Sequence, residues 1–432
     1  MRIALLGPLA PWRGGLAQYL ALLGEALGAH AQVIGVTFTR QYPERLFPGK
    51  SQLDPDAERP KFPVAALLDS IDPRSWRRVA AHLERFAPGA VILKWWMPFF
   101  GPAFASSVGP LRERGTRVVL VCDNLIPHES RPFDRAFTRW MLRNSDGYLV
   151  MSDAVEIDLD RLKPGAVRRR VAHPRYAQFD RGRYDRATAR AKLDLDPDAE
   201  VVLFFGYVRR YKGLDTLLEA WPGVRARRPS ATLIVAGEFY EDAAPYRALA
   251  ARAGGPPPVR LLERYLPDDD VEAVFKAADV VVLPYRSATQ SGVTHVAYAL
   301  GVPVITTDVG GLSETVVEGE TGLIVPPENP AALAGAIERY FRERLGPRLR
   351  AGVEKARHAQ SWDVLAMATI DLLDELAPAR GWREPAGPRR ETNHETRGEA
   401  NREAAPSRGA GREGPGSGAG LSSKPGARGG GP

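Results

Sequence analysis

An α/β architecture built on parallel sheets is predicted by two features of the sequence. Short apolar runs alternate with amphipathic segments along most of the chain, and many of those runs lack the every-second-residue alternation of a strand that faces water on one side. The length of 432 residues adds a third point: a single core does not grow to this size, so two domains plus extras are expected. Apolar content of 44% and charged content of 26% are those of a soluble globular protein.

Taken in order, RIALLG is a first strand, and the loop GPLAPWRGG ends at Gly14 and Gly15 before the helix LAQYLALLGEALG. A dinucleotide fingerprint needs G-x-G-x-x-G and an acidic residue closing the next strand. Neither is present, since AQVIGVTFTR ends in Arg40, and this argues against a nicotinamide dehydrogenase. The glycine pair lets backbone approach a ligand closely or simply serves the turn. Trp76 to Phe86 reads as a helix, Ala90 to Lys94 as a strand, Phe104 to Arg114 as a helix and Arg117 to Cys122 as a strand. Ligands of such sheets bind beyond the carboxyl ends of the strands. Two loops there are chemically rich. Trp95, Trp96, Phe99 and Phe100 form a substrate wall or part of the core, while Asp123, Asn124, His128 and Glu129 gather polar groups after Cys122.

Pro132 to Asn144 reads as a helix with Pro132 in its first turn and a stripe of Arg131, Arg135, Arg139 and Arg143 beside Phe133, Phe137, Trp140 and Met141. That face is either solvated or suited to an anionic lipid surface. Gly147 to Ser152 is a strand whose last residue caps a helix. RRRVAHPRYAQFD is the last strand of the first half and its exit, with His173 in a structural role.

In the second half, Val201 to Phe205 is a strand buried on both faces, ended by Gly206, and a helix carrying Leu214, Leu217, Leu218 and Trp221 on one side starts at Gly213. Arg209 and Lys212 fall in the turn between them. They are solvated loop charges or, at a helix start with free N–H groups, the seat of a diphosphate. Lysine is scarce, nine of 59 basic residues, so Lys212 stands out against the composition. ATLIVAGE, VRLLE and DVVVLPY continue as strands, with helices reaching about Gly254 and over LPDDDVEAVFKAA. The three aspartates after Pro267 suit a helix N-terminus better than a metal, and Asp194, Asp196 and Asp198 fall in a turn. The loop with Ser287, Thr289, Gln290, Ser291 and Gly292 opens the helix VTHVAYAL, a second anion-receptive helix start. VPVITT is a strand, and Gly310 and Gly311 make a loop before Glu314. Ser361 to Leu376 has apolar positions Val364, Leu365, Met367, Ala368, Leu372 and Leu373 for an amphipathic helix.

From Pro378 onward ten basic and six acidic side chains accompany few apolar ones, which predicts a disordered tail and leaves +3 of the net +7 to the rest. That is too little for a nucleic-acid surface. Cys122, the single cysteine, is expected as a buried core thiol, and no run is long enough to span a membrane. The start MRIALLG, with no leader pattern, points to a cytoplasmic location, peripheral at the inner membrane face if the arginine stripe meets lipid.

PWRGG, FGYVRRYKGLDTLLEA, ADVVVLPY, ALGVPVITTDVGGLSE and TGLIVPP, in this order and spacing, resemble the family 4 retaining glycosyltransferases of GT-B fold over about Met1 to Leu376. The resemblance implies two facing Rossmann-like domains. Residues 1–185 would form the acceptor domain, 186–360 the nucleotide-sugar domain, 361–377 a helix returning to the first domain and 378–432 the tail. It further implies a nucleoside diphosphate sugar as donor, hexose transfer with retention, no metal and no cofactor. Arg209 and Lys212 would neutralise the leaving diphosphate, Gly206 would end their strand, and the segment of Gln290, Ser291, Gly292, Val293 and Thr294 would hold phosphate and ribose. Gly14 and Gly15 would approach the diphosphate from across the cleft, and Arg264, Tyr265 and Leu266 would line the base.

Two family glutamates are replaced, their places falling at Ala288 and Val296, so Thr289, Ser291 or Thr294 would hold the nucleoside instead. The family's cleft histidine aligns near Asp123 rather than His128, and both are candidate catalytic groups. These departures leave open a nucleotide-sugar-binding protein without transfer activity. An epimerase would need acid and base groups that the sequence does not place.

Overall fold

The computed structural model describes residues 1–47, 49, 51–126, 132–253, 259–356 and 361–376. The strands are β1 (Arg2–Leu6), β2 (Gln32–Arg40), β3 (Val64–Asp69), β4 (Ala90–Trp95), β5 (Arg117–Cys122), β6 (Gly147–Val150), β7 (Val167–Arg170), β8 (Glu200–Phe205), β9 (Ala231–Ala236), β10 (Arg260–Leu262), β11 (Val280–Leu283), β12 (Val304–Thr307) and β13 (Gly322–Val325). The helices are α1 (Gly15–Leu27), α2 (Pro73–Phe86), α3 (Gly101–Glu113), α4 (Asp134–Arg143), α5 (Asp153–Leu162), α6 (Arg186–Lys192), α7 (Leu214–Arg227), α8 (Ala244–Arg252), α9 (Asp268–Ala277), α10 (Gly292–Ala299), α11 (Gly311–Thr315), α12 (Pro330–Arg342), α13 (Gly346–Lys355) and α14 (Trp362–Glu375).

Two parallel sheets result, each with helices on both faces. One has seven strands in the order β3-β2-β1-β4-β5-β6-β7, the other six in the order β10-β9-β8-β11-β12-β13. Each is a Rossmann-like sheet, and both lie within one compact unit, Met1–Pro385. In each, the winding direction reverses beside the strand that comes first in the chain, between β1 and β4 and between β8 and β11. Loops diverge there and leave a crevice at the strand ends. The apolar runs read from the sequence are buried as expected: β4, β9, β11 and β12 are covered along their whole length. Cys122 is buried in the first core, where desolvation pushes its thiol up.

Several elements differ from the reading of the sequence. The edge strand β3, VAALLD, has no strand signature, and its half-exposed positions show why no clean pattern marks it. Helix α4 begins at Asp134, because Phe133 takes a left-handed φ of 76°; Pro132 therefore stands outside the first turn. Along α14 the buried stripe is Leu365, Ala366, Thr369, Leu372 and Leu373, whereas Val364 and Met367 are exposed. The helix nevertheless returns to the first sheet: its stripe packs with Ile3, Leu5, Leu20 and Leu23, Trp362 lies edge-on to Tyr19 at 5.0 Å, and the Trp362 indole donates to the Arg175 carbonyl at 2.9 Å. Helices α6, α11, α12 and α13 were not anticipated; Gly311, expected in a loop before Glu314, opens α11. The segment from Pro378 onward, expected to be disordered, lies outside the described residues, as does residue 377.

Candidate active site

Strand β8 ends at Gly206, whose φ of 108° is in the range that side chains avoid. A Cβ there would stand 3.0 Å from Lys212 Nζ and 3.5 Å from Val293. The lysine returns to this point because Arg210–Lys212 form a 3-10 turn closed by Gly213, itself left-handed and pressed against the Pro284 carbonyl. Lys212 is 8% exposed, and among the described residues no carboxylate pairs with it. Desolvation, then the neighbouring Arg209, lowers its pKa. A buried ammonium without a counter-ion is costly, and an anion in the adjoining space removes the cost.

That space is a cavity of about 270 Å³, walled by Gly206, Tyr207, Lys212, Gly237, Tyr265, Leu266, Gln290, Ser291, Gly292, Val293 and Val296 from the second sheet's side and by Gly14, Gly15, Gln18 and Tyr176 from the other. Two helix N-termini open on it. Neither α1 nor α10 has a side-chain cap, so their first N–H groups remain available to a ligand. A second cavity of about 610 Å³ shares Gly14, Gly15, Tyr207, Tyr211 and Lys212 with the first and runs on past Tyr42, Trp96, Phe99, Arg209 and Tyr240.

Across the cleft, side chains join the two sheets. Arg13 pairs with Glu238 at 2.6 Å, both almost fully buried, and lies 4.9 Å from the ring centre of Tyr265. Asp123 sits at the end of β5. Its carboxylate takes a 2.6 Å contact from Lys94, a lysine 1% exposed whose ammonium lies 3.3 Å from the Tyr19 ring centre. The same oxygen accepts from Gln290 Nε2 at 2.8 Å, and the Asp123 carbonyl accepts from the Thr289 hydroxyl at 3.0 Å. Desolvation raises the Asp123 pKa while Lys94 opposes the rise; desolvation likewise lowers that of Lys94, opposed by Asp123.

Of the residues expected from the sequence, Gly14, Gly15, Gly206, Lys212, Tyr265, Leu266, Gln290, Ser291, Gly292 and Val293 meet at the first cavity. Arg209 lines the second cavity instead, its guanidinium 5.1 Å from the Tyr240 ring centre. Arg264 turns to Asp270 at 2.7 Å, Thr289 is spent on Asp123, and Thr294 is buried inside α10. Trp95 and Phe100 are core, whereas Trp96 and Phe99 are half-buried on the second cavity's wall. His128 and Glu129 lie outside the described residues. His173 is buried, donates to the Pro174 carbonyl at 2.7 Å and stacks on His295 at 4.2 Å. The three aspartates of α9 pair with Arg181, Arg183, Lys192 and Arg264. Arg13, Glu238 and Lys94 were missed as site residues. The first two carried a signal, one inside PWRGG and the other directly after the strand-ending Gly237, while Lys94 reads as one more residue of a buried strand.

Two family profiles match in tandem, the glycosyl transferase 4-like domain over residues 14–175 and glycosyl transferases group 1 over residues 199–343. The chain belongs to the family 4 glycosyltransferases. Family relatives include a D-inositol 3-phosphate glycosyltransferase of Rhodococcus jostii, 38% identical over 285 residues, or 61% of this chain and 58% of that protein. A glycogen synthase of Mycobacterium tuberculosis is 28% identical over 58% of each chain. The chain spans about half the length of the curated relatives it matches. Among solved structures, a sucrose-phosphate synthase from Thermosynechococcus elongatus superposes with a TM-score of 0.70 at 22% identity, covering 87% of this chain and 99% of that one. Anabaena Alr3699/HepE, solved in complex with UDP, gives 0.69 at 16% identity, covering 87% and 100%. The fold is GT-B. Val296 lies on the wall of the first cavity, and Ala288 is buried.

Proposed function

We propose that the protein is a glycosyltransferase that moves a hexose from a nucleoside diphosphate sugar to an acceptor hydroxyl, with retention and without a metal. The observation that carries this reading is the buried Lys212 with no carboxylate partner among the described residues, at a cavity that also receives the N-termini of α1 and α10. As the sugar leaves, negative charge grows on the diphosphate, and donors fixed in place before the reaction stabilise it most. Lys212 and the N–H groups of Gly292 and Val293 are placed for that, while Gly14 and Gly15 let the first sheet's backbone close on the diphosphate. The UDP complex of Alr3699/HepE supports the donor class. Turnover of a panel of UDP-, GDP- and ADP-sugars tests the proposal.

A second reading is a nucleotide-sugar-binding protein without transfer, favoured by Ala288 and Val296 standing where family members carry glutamates. Tight donor binding with no turnover, whatever the acceptor, would select it. We also propose that the exposed face of α4 meets anionic lipid. Arg135, Arg139 and Arg143 are exposed there, together with Phe133 (73%) and Trp140 (41%). Among the described residues no helix is long and apolar enough to cross a membrane.

A further inference from the structure

Arg286 ties together two parts of the anion site, an inference that rests on the reading of Lys212 and the start of α10 as the seat of the diphosphate. Its backbone belongs to the loop between β11 and α10, the loop that carries Gln290 and Ser291. Its side chain is spent on the turn after β8. Nη1 donates to the Arg210 carbonyl at 2.7 Å, 76 residues away in the chain, and Nη2 donates to Asp215 in the first turn of α7 at 2.8 Å. The Arg286 backbone N–H donates to the next carbonyl, that of Tyr211, also at 2.7 Å. Consecutive carbonyls of the 3-10 turn that ends in Lys212 are therefore held by one residue of the α10 loop.

The rest of this junction is fixed as well. Glu328 accepts from Arg286 Nε at 2.8 Å, Glu241 accepts from the Arg210 N–H at 3.1 Å, and the Tyr285 carbonyl accepts from the Thr307 hydroxyl at 2.5 Å. Gly213 is pressed against the Pro284 carbonyl. Asp215, Glu241 and Glu328 are thus occupied by Arg286 or by the Arg210 backbone, and among the described residues none of them pairs with Lys212. Arg286 itself lines neither cavity.

We propose that Arg286 is a positioning residue that sets the spacing between Lys212 and the N-terminus of α10. A diphosphate held by Lys212 and by the N–H groups of Gly292 and Val293 spans both elements, so it meets all of these donors at once only when that spacing is right. Misplacement by about 1 Å costs on the order of 10²-fold in rate. A planar guanidinium serves a carbonyl and two carboxylates together, which the compact ammonium of a lysine does not reproduce.

A double-variant cycle on the full-length protein tests this. Calorimetric titration with UDP, GDP and ADP gives nucleotide affinity, and turnover of the corresponding sugar nucleotides gives kcat and KM. Arg286→Ala should weaken the preferred nucleotide and lower kcat, each by about tenfold or more, with a urea-unfolding midpoint near that of wild type. Arg286→Lys keeps the charge but not the fork, and should lose nearly as much. In the Lys212→Ala background, removal of Arg286 should cost less than about threefold, because residues that act as a unit are not additive. Multiplied losses in the double variant, wild-type behaviour of Arg286→Lys, or unfolding that accompanies the loss of affinity overturns the inference. Coupled losses of nucleotide affinity with no turnover of any sugar nucleotide would instead overturn the transferase reading and leave this one standing, whereas turnover with multiplied losses does the reverse. Absence of nucleotide binding by the wild-type protein would overturn both.

Discussion

Lys94 and Asp123 lie under the cleft floor as a buried ion pair, and removing either partner strands the other. Lys94→Met keeps most of the side chain's length but leaves the Asp123 carboxylate with the Gln290 amide as its remaining side-chain donor. Loss of one member of a buried pair costs about 3–5 kcal/mol. The sign with pH differs between the two halves. Burial already raises the carboxyl's folded pKa, and without Lys94 it rises further. The folded variant then holds a proton that the unfolded chain has released, so its stability falls as pH rises above the ordinary carboxylate range, by up to about 1.4 kcal/mol per unit. Asp123→Asn strands the ammonium, whose folded pKa is lowered by burial. Its unfolded chain keeps the proton longer, so stability rises with pH towards the ordinary lysine range. Urea unfolding of both variants and wild type between pH 5 and 9, read by tryptophan fluorescence, measures the slopes. Parallel slopes in the two variants, or losses below about 1 kcal/mol at pH 7, would refute the account of a desolvated, mutually dependent pair.

Lys212→Ala should lower turnover by about 10²–10³-fold, the cost of one donor to a developing charge, with an unchanged circular-dichroism melt; wild-type kinetics would remove Lys212 from the site. Gly206→Ala brings a methyl to 3.0 Å from Lys212 Nζ at a φ of 108°, so donor KM should rise and kcat fall while the same change at Gly335, with nothing near its Cβ position, leaves both untouched. Glu238→Ala strands Arg13 between the sheets and should destabilise by about 3 kcal/mol, whereas Arg13→Met with Glu238→Leu should recover much of that; equal unfolding midpoints for the single and double variants would contradict a buried pair. Changing Arg135, Arg139 and Arg143 together to Gln should abolish low-salt pelleting with anionic liposomes, since each contributes about 1 kcal/mol near such a surface, and equal pelleting of the two proteins returns α4 to an ordinary surface role.

The strand at 201–205, its terminating glycine and the lysine that follows are written locally, because a two-face-buried strand leaves an unbroken apolar run and a tight return needs glycine. The sequence by itself therefore determined the α/β class, the strand ends at which the crevice opens, and most residues around the first cavity: Gly14, Gly15, Lys212 and the Gln290 loop. Its errors were of phase and edge. Val364 and Met367 fall off the buried stripe of α14, and β3 is half-exposed, so neither leaves a clean periodicity. What only the tertiary structure decided is pairing across distance. Whether Arg209 turns to the donor or to the second cavity, whether Trp96 is wall and Trp95 core, and that Lys94 meets Asp123 while Asp123 meets Gln290 depend on which loops the two sheets bring face to face. A buried charge is set by partners 29 and 167 residues away in the chain, and no local pattern encodes a contact of that separation.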